Sequence, residues 1–299
     1  MNEKTKGIAL AVTGASAYGL QSLFTRLAMI HEMNSNTLLV YRFIFVLVIM
    51  GGYLAAVRKL RAPSRRQLLA LLLFGAGGYG VAIFLLTESY RFLPTGQATM
   101  IHCVYPVIVV FYMIVFFREK LTGRKAAALL LTCASILFLM DVPDSAKLDP
   151  FGAVIAFLSG AAFAVYMVSV DRSSMRELDA CNLMVYLSVV IVAVFGVQGT
   201  ASGQFKLYSL PWQAYGYVFV IALLSIVGIG FMTLAIRMIG PSYAAMLSIF
   251  EPVTAMLCSL FILREGITVL GLTGSALMIA VLLIIAADRT KEEQEEAEG

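Results

Sequence analysis

The hydrophobic positions of this chain come in long blocks rather than in strand-like alternation or one-sided stripes. Ten apolar runs follow one another, each ended by charges or turn residues: 7–28, 36–57, 68–88, 95–117, 124–141, 150–170, 180–198, 214–236, 241–262 and 268–287. A helix needs about 20 such residues to cross a hydrocarbon core of roughly 30 Å. The pattern therefore predicts an all-α integral membrane protein with ten transmembrane helices. The longest breaks, near 58–67, 141–150 and 199–213, cannot hold a soluble domain. Whatever the protein does is expected to happen within the bilayer. The first run starts near Gly7, after Lys4 and Lys6, and is too long and too polar at its centre for a signal-peptide core. It is expected to stay as the first helix.

Composition strengthens this reading. Of 299 residues, 60% are hydrophobic and 13% charged, with a mean hydropathy of +0.89. A soluble domain is nearer half apolar and a quarter charged. The net charge of +4 carries no nucleic-acid message, because the basic residues sit at helix ends. Their distribution sets orientation instead. Most of the 22 fall on one side, among them Arg58, Lys59, Arg61, Arg65, Arg66, Arg118, Lys120, Arg124 and Lys125. The sparse side holds Arg26, Arg42, Arg91, Lys147, Lys206 and Arg264. Both termini are thus expected in the cytoplasm, across a plasma or bacterial inner membrane, with a short acidic tail at 288–299. Cys103, Cys133, Cys181 and Cys258 lie inside apolar runs and read as small buried residues rather than disulfides or metal ligands. With only two histidines, His31 and His102, a histidine-built metal centre is not expected, nor is a cofactor.

The chain also repeats itself at one constant offset. Gly14-Ala15 matches Gly160-Ala161, Arg26 matches Arg172, Thr87 matches Thr233 and Arg91 matches Arg237. Pro106-Val107 matches Pro252-Val253, and Arg118-Glu119 matches Arg264-Glu265. Charged and proline matches are the informative ones. The halves are 7–141 and 150–287, five helices each. An odd number of helices per repeat makes the second copy enter from the opposite side, an inverted repeat with a two-fold axis in the membrane plane.

Chemistry concentrates on the fourth and ninth helices. Ala98, His102, Tyr105, Val109 and Tyr112 share one face of the fourth; Ala244, Ser248, Glu251, Ala255 and Cys258 share the matching face of the ninth. Pro106 and Pro252 each remove an amide donor and free the carbonyl four residues back, that of His102 or Ser248. At membrane depth such a carbonyl needs a partner, a water or a substrate. Glu251 lies near mid-membrane, where a charge is costly and faces a cavity or a partner. It reads as a substrate- or proton-binding carboxylate, or as a structural one bonded to neighbouring helices. His102 reads as a substrate or proton ligand, or as a packing residue beside the proline break.

The first helix carries a polar stripe, Tyr18, Gln21, Ser22 and Thr25, which suits a cavity wall. Tyr166 and Ser169 are the best candidates on the sixth helix, and Tyr79 on the third. Arg26, Arg42 and Glu88, with Glu32 and Arg91, make an outer cluster: ordinary helix-end pairing and snorkelling, or a gate. Gly75-Ala76-Gly77-Gly78-Tyr79-Gly80 fits a nucleotide-binding glycine pattern, but that chemistry needs a preceding strand and a soluble βαβ unit. Inside an apolar helix the glycines allow close helix contact and bending.

Arg42-Phe43, Pro106 with Arg118-Glu119, and above all Glu251-Pro252-Val253 followed by Arg264-Glu265 make the chain resemble an EamA-type member of the drug/metabolite transporter superfamily. The resemblance covers nearly the whole chain. It implies a ten-helix bundle working by alternating access, with a central cavity lined by helices 1, 3, 4, 6, 8 and 9. Members export amino acids and other small metabolites. Tyr105 stands where duplication would place a second acid opposite Glu251, so no carboxylate pair is expected. The resulting expectation is a secondary transporter, not an enzyme, exporting amino acids or related small polar metabolites. Its partners are a small-molecule solute, membrane lipid and a proton as candidate co-substrate. An exporter of organic cations or drugs and a lipid-carrier flippase stay open. An intramembrane enzyme is disfavoured, because no nucleophile–base pair or H-E-x-x-H appears.

The charge pattern makes one checkable claim. Cysteines placed at Asn2 and Glu296 in a cysteine-free background should react with a membrane-impermeant maleimide only after intact cells are permeabilised. Labelling of either in intact cells would reverse the assigned orientation.

Overall fold

The computed structural model describes residues 3–93, 95–139, 149–203, 205, 210–263, 273–274, 276–277, 279–281 and 283–284. Every regular element among them is helical. The helices are α1 (Glu3–Ile30), α2 (Ser35–Ala56), α3 (Arg65–Ser89) and α4, in two arms, Thr95–His102 and Tyr105–Phe117. Then come α5 (Gly123–Leu139), α6 (Pro150–Arg172), α7 (Ala180–Ala201), α8 (212–239) and α9, with arms 241–247 and Phe250–Leu263. The described residues between 273 and 284 are helical as well. Most of the predicted tenth helix, the tail 288–299, and Arg264, Glu265 and Thr268 lie outside the described residues.

Among the described residues, seven stretches are long and apolar enough to cross a membrane: α1, α2, α3, Ala98–Phe117, α6, α7 and Trp212–Leu247. The last has 36 residues but turns at Gly240, whose φ of 79° is open to glycine and strained for other residues, just before Pro241. Local chemistry sets the helix starts. Asn34, Ser64, Asp149 and Asp179 accept backbone N–H groups of the first turns, and Ser64 with Gln67 forms a capping box. Asp179 also fastens the basic α2–α3 loop. It accepts from Asn182 Nδ2 (2.6 Å), and Asn182 donates to the Lys59 carbonyl and accepts from Arg61 N–H. Partial burial pushes the Asp179 carboxyl up, but the hydrogen bonds from Asn182 and Cys181 outweigh it and hold it below the usual carboxylate range. Large apolar side chains such as Val48, Leu73, Phe116, Leu130 and Val197 point outward, as lipid requires.

The helices of the two halves are interleaved. α1 packs on α8 and α9, α6 packs on α3 and α4, and α2 packs on α7. α3 touches α7 as α8 touches α2. This pairing is unchanged when each helix is exchanged for the one five places later. Glycines permit it. A methyl group on Gly14 would come within 3.2 Å of the Gly228 carbonyl, one on Gly75 within 2.8 Å of Leu187, and one on Gly80 within 2.8 Å of Phe195. The glycine-rich run of α3 is thus a packing surface, and it is wound as a π-helix over Leu71–Gly80. Such stretches are rare and often sit beside functional sites.

Both proline helices break where expected. α4 breaks at Cys103–Val104, just ahead of Pro106, and α9 at Ser248–Ile249, ahead of Pro252. The Ser248 carbonyl is not left for substrate, because Glu251 N–H donates to it (2.9 Å). The His102 carbonyl instead lies against Gly160 of α6, in the place a Cβ would occupy. The Glu251 carbonyl meets Gly19 of α1 in the same way. Gly160→Ala should therefore destabilise the protein by roughly 1–3 kcal/mol, despite alanine's better helix propensity. Gly52→Ala, on an exposed turn of α2 with nothing within 4 Å, should be neutral or slightly stabilising. Thermal unfolding in detergent separates the two. Equal transition temperatures would show that the Gly160 contact is loose.

Candidate functional site

A cavity opens between α1, α2, α3, α4, α6 and α9. It holds about 480 Å³ of space, counting its open mouth, and its lining includes Tyr18, Gln21, Ser22, Thr25, Arg42, Tyr79, Tyr90, His102, Phe163 and Glu251. Ile83, Leu86 and Thr87 complete the wall. The α1 residues run from Tyr18 to Thr25 and the α3 residues from Tyr79 to Tyr90. The cavity therefore lies in the half of the bundle nearest the loops that follow Ile30 and Ser89. At the opposite helix ends, Lys125 Nζ pairs with Glu119 Oε1 (2.6 Å) and Ser242 Oγ donates to Glu119 Oε2 (2.8 Å). These bonds tie α4 and α5 to the start of α9.

Two ionisable side chains of opposite type, the carboxyl of Glu251 and the guanidinium of Arg42, reach the cavity wall. Glu251 is 6% exposed, and among the described residues no hydrogen bond or ion pair reaches its carboxylate. Arg42 is 2% exposed. Its Nη2 donates to Tyr79 Oη (2.9 Å), its guanidinium lies 5.3 Å from the Phe43 ring centre, and its Nε has no partner. Gln21 Nε2 is likewise buried without a partner. Ser22 Oγ turns back to the Gly19 carbonyl (2.7 Å), and Tyr90 Oη pairs with Thr99 Oγ1 (3.1 Å).

His102 is fixed by a short relay. Ser159 Oγ donates to the Ala82 carbonyl (2.7 Å) and lies 2.8 Å from His102 Nδ1. A hydroxyl has a single proton, so Nδ1–H donates to Ser159 and Nε2 is the open acceptor. The imidazole thus presents an acceptor edge beside Glu251's cavity.

The structure sorts the expected residues. Tyr18, Gln21, Ser22, Tyr79, His102 and Glu251 share the cavity. Tyr105, Tyr166, Ser169 and Ser248 are not on its wall. The break in α4 sets Tyr105 behind Phe163, ring edge to face at 4.8 Å, so Phe163 takes the wall position expected of Tyr105. Tyr166 packs on Tyr79 at 4.8 Å and forms a second layer. Ser169 and Ser248 turn their hydroxyls to the carbonyls four residues back, Val165 and Ala244. The outer cluster also separates. Glu88 pairs with Arg91 (2.9 Å) and Arg26 is exposed, while Arg42 lies inward on the cavity wall rather than at a helix end. α8 is absent from the wall and α2 is present, because Gly228 lets α8 pack directly behind the Tyr18 ring. Sequence reasoning gave the site no Ile83, Leu86, Thr87 or Tyr90. With Tyr79 they recur every three or four residues on α3, a periodicity that marks one helical face.

The EamA-like transporter family model matches this chain twice, over residues 5–141 and 150–287. The chain belongs to the EamA-like transporter family. It is therefore a multi-pass membrane protein of a transporter family in the drug/metabolite superfamily. A solved structure described only as the crystal structure of a protein is similar to it with a TM-score of 0.74 at 18% identity. The match covers 97% of this chain and 99% of that one, and at that identity it establishes the fold alone. No curated relative matches the chain.

The relay beside His102 yields a direct test. Ser159→Ala leaves the buried His102 Nδ1–H without an acceptor, while the Ala82 carbonyl keeps its bond within the helix; the change should cost about 1–3 kcal/mol. Ser159→Cys, whose sulfur keeps a weak acceptor for Nδ1–H, should fall between. Unfolding curves for the three proteins check the order, and an unchanged Ser159→Ala would show that water replaces the hydroxyl.

Proposed function

We propose that this chain is a secondary transporter that moves a small polar or amphipathic metabolite through the cavity by alternating access. In this reading ten helices form two inverted five-helix repeats, 7–141 and 150–287, with both termini in the cytoplasm. Amino acids and related compounds are the first substrate class, and export is the direction. One observation carries the reading: a buried carboxylate, Glu251, stands on a cavity in mid-bundle with no partner among the described residues. A purely structural carboxyl would be hydrogen-bonded to its neighbours, since a buried polar group without a partner is costly whether charged or neutral. A carboxylate that binds solute or proton in turn must be left open.

The exchange-invariant helix pairing supports alternation. Two equivalent sets of contacts can trade strength, opening the cavity first to one side and then to the other. Bonds such as Glu119–Lys125 and Glu119–Ser242 would then hold the side that is closed. An organic-cation or multidrug exporter is the second reading, with Glu251 as counter-charge. Arg42 on the same wall weighs against it, because a fixed cation repels a cationic solute.

Glu251→Gln keeps size and hydrogen-bonding reach but removes the charge and the exchangeable proton. Transport in proteoliposomes, normalised to folded protein and followed across a pH series, should fall by about tenfold or more for the amide. The wild type should respond to pH and the variant should not. Equal rates and equal pH profiles would sink the functional role of Glu251.

A further inference from the structure

Arg42 is a poor structural residue where it stands. It is buried at 2% exposure seven residues into an apolar helix, and among the described residues no carboxylate pairs with it. A guanidinium has five N–H donors in a fixed planar fork. Here the bond to the Tyr79 hydroxyl is the one that fixes it, and Nε is unmatched. Removing one charge from water without a partner costs several kcal/mol. Glu251 lines the same cavity but forms no ion pair with Arg42. Gln21 adds a second buried donor, Nε2, that also lacks a partner. Unmatched donors beside one space, with an unmatched acceptor elsewhere on its wall, describe a site whose complement is carried in by the solute.

Tyr79 gives this arrangement its aim. It comes from the π-wound stretch of α3, is fully buried, and is wedged between Phe43 (6.0 Å, edge to face) and Tyr166 (4.8 Å). Its hydroxyl accepts from Arg42 Nη2 and orients the fork. A hydroxyl that accepts from arginine keeps its own proton to donate. Arg42 and Tyr79 can therefore both donate to one anionic group.

We propose that Arg42 and Tyr79 form the anion-recognising end of the cavity, and that the transported solute presents a carboxylate there while its cationic end faces Glu251. This rests on the transport reading and narrows it: the solute is zwitterionic, not a plain organic cation. Charge-assisted bonds of guanidinium to carboxylate are about twice as strong as neutral ones, so loss of the carboxylate is the decisive change.

The test uses the purified full chain and thermal stabilisation as readout, since a ligand that binds only the folded state raises its transition temperature. The probes are the twenty standard L-amino acids, with the methyl ester and the N-acetyl form of each one that stabilises. At least one amino acid should stabilise, and its methyl ester should bind about tenfold more weakly or worse. Arg42→Gln should remove that preference for the free carboxylate, and Arg42→Lys should retain part of it. Where Arg42→Gln does not fold, Tyr79→Phe, which loses only the hydroxyl, should narrow the preference instead. A role in packing alone would lower stability but leave the ratio of acid to ester unchanged. The proposal is overturned if no amino acid stabilises, if ester and acid bind alike, or if the variants keep the wild-type ratio. Stabilisation by tetraphenylphosphonium but by no amino acid would overturn it while leaving transport itself intact. Failure of transport, rather than of this ratio, would remove the wider reading.

Discussion

Everything at the centre of this bundle depends on backbone meeting backbone. Gly160 takes the His102 carbonyl in the space a side chain would fill, and Gly19 does the same for the carbonyl of Glu251. Lipid supplies no water to satisfy a carbonyl beside a broken helix, so a neighbouring helix must come close enough to do it. Only glycine allows that approach, through weak Cα–H contacts and dense van der Waals packing. The breaks in α4 and α9 are thereby held at fixed places. His102 and Glu251, one at each break, are delivered to the same cavity from different halves of the chain.

The cavity's electrostatics follow from that placement. In a medium of low dielectric, opposite charges attract strongly over several ångströms. Arg42 and Glu251 nevertheless stay apart, each held by rigid surroundings: Arg42 by Tyr79 and Phe43, Glu251 by the first turn of a helix arm whose backbone is pressed on α1. The wall therefore mixes the ionisable Arg42 and Glu251 with the polar Gln21, Ser22, Thr25 and His102, and Tyr18, Tyr79 and Phe163 supply its aromatic faces. A solute bound there, as proposed, would enter a space already shaped, so little reorganisation would be left for the moment of binding.

Much of this was legible in the residues. Block hydrophobicity gave the membrane class, and helix boundaries came within a few residues at most ends. The prolines marked the two breaks. The stripe on α1 and the isolated charge at Glu251 marked the cavity, because a polar side chain at mid-membrane is costly unless it faces water or a partner. What failed was direction. Tyr105 shares a helical face with His102 in an unbroken helix, but the turn at Cys103–Val104 removes that phase relation. On its own helix alone, Arg42 fits either helix-end pairing with snorkelling or an outer gate. Its inward course depends on Tyr79, a partner 37 positions along the chain. The π-winding of α3 was equally hidden, since glycine and leucine composition suits several helical pitches.

The interleaving has a consequence for half-length chains. The first helix of each half lies mainly on the third and fourth of the other half, so a half-length fragment leaves those glycine faces uncovered. The surface that would cover them is one of the same kind on another such fragment. In its demands on assembly, half of this chain resembles one subunit of an obligate homodimer, and the linker joining the halves replaces a bimolecular encounter with a tether.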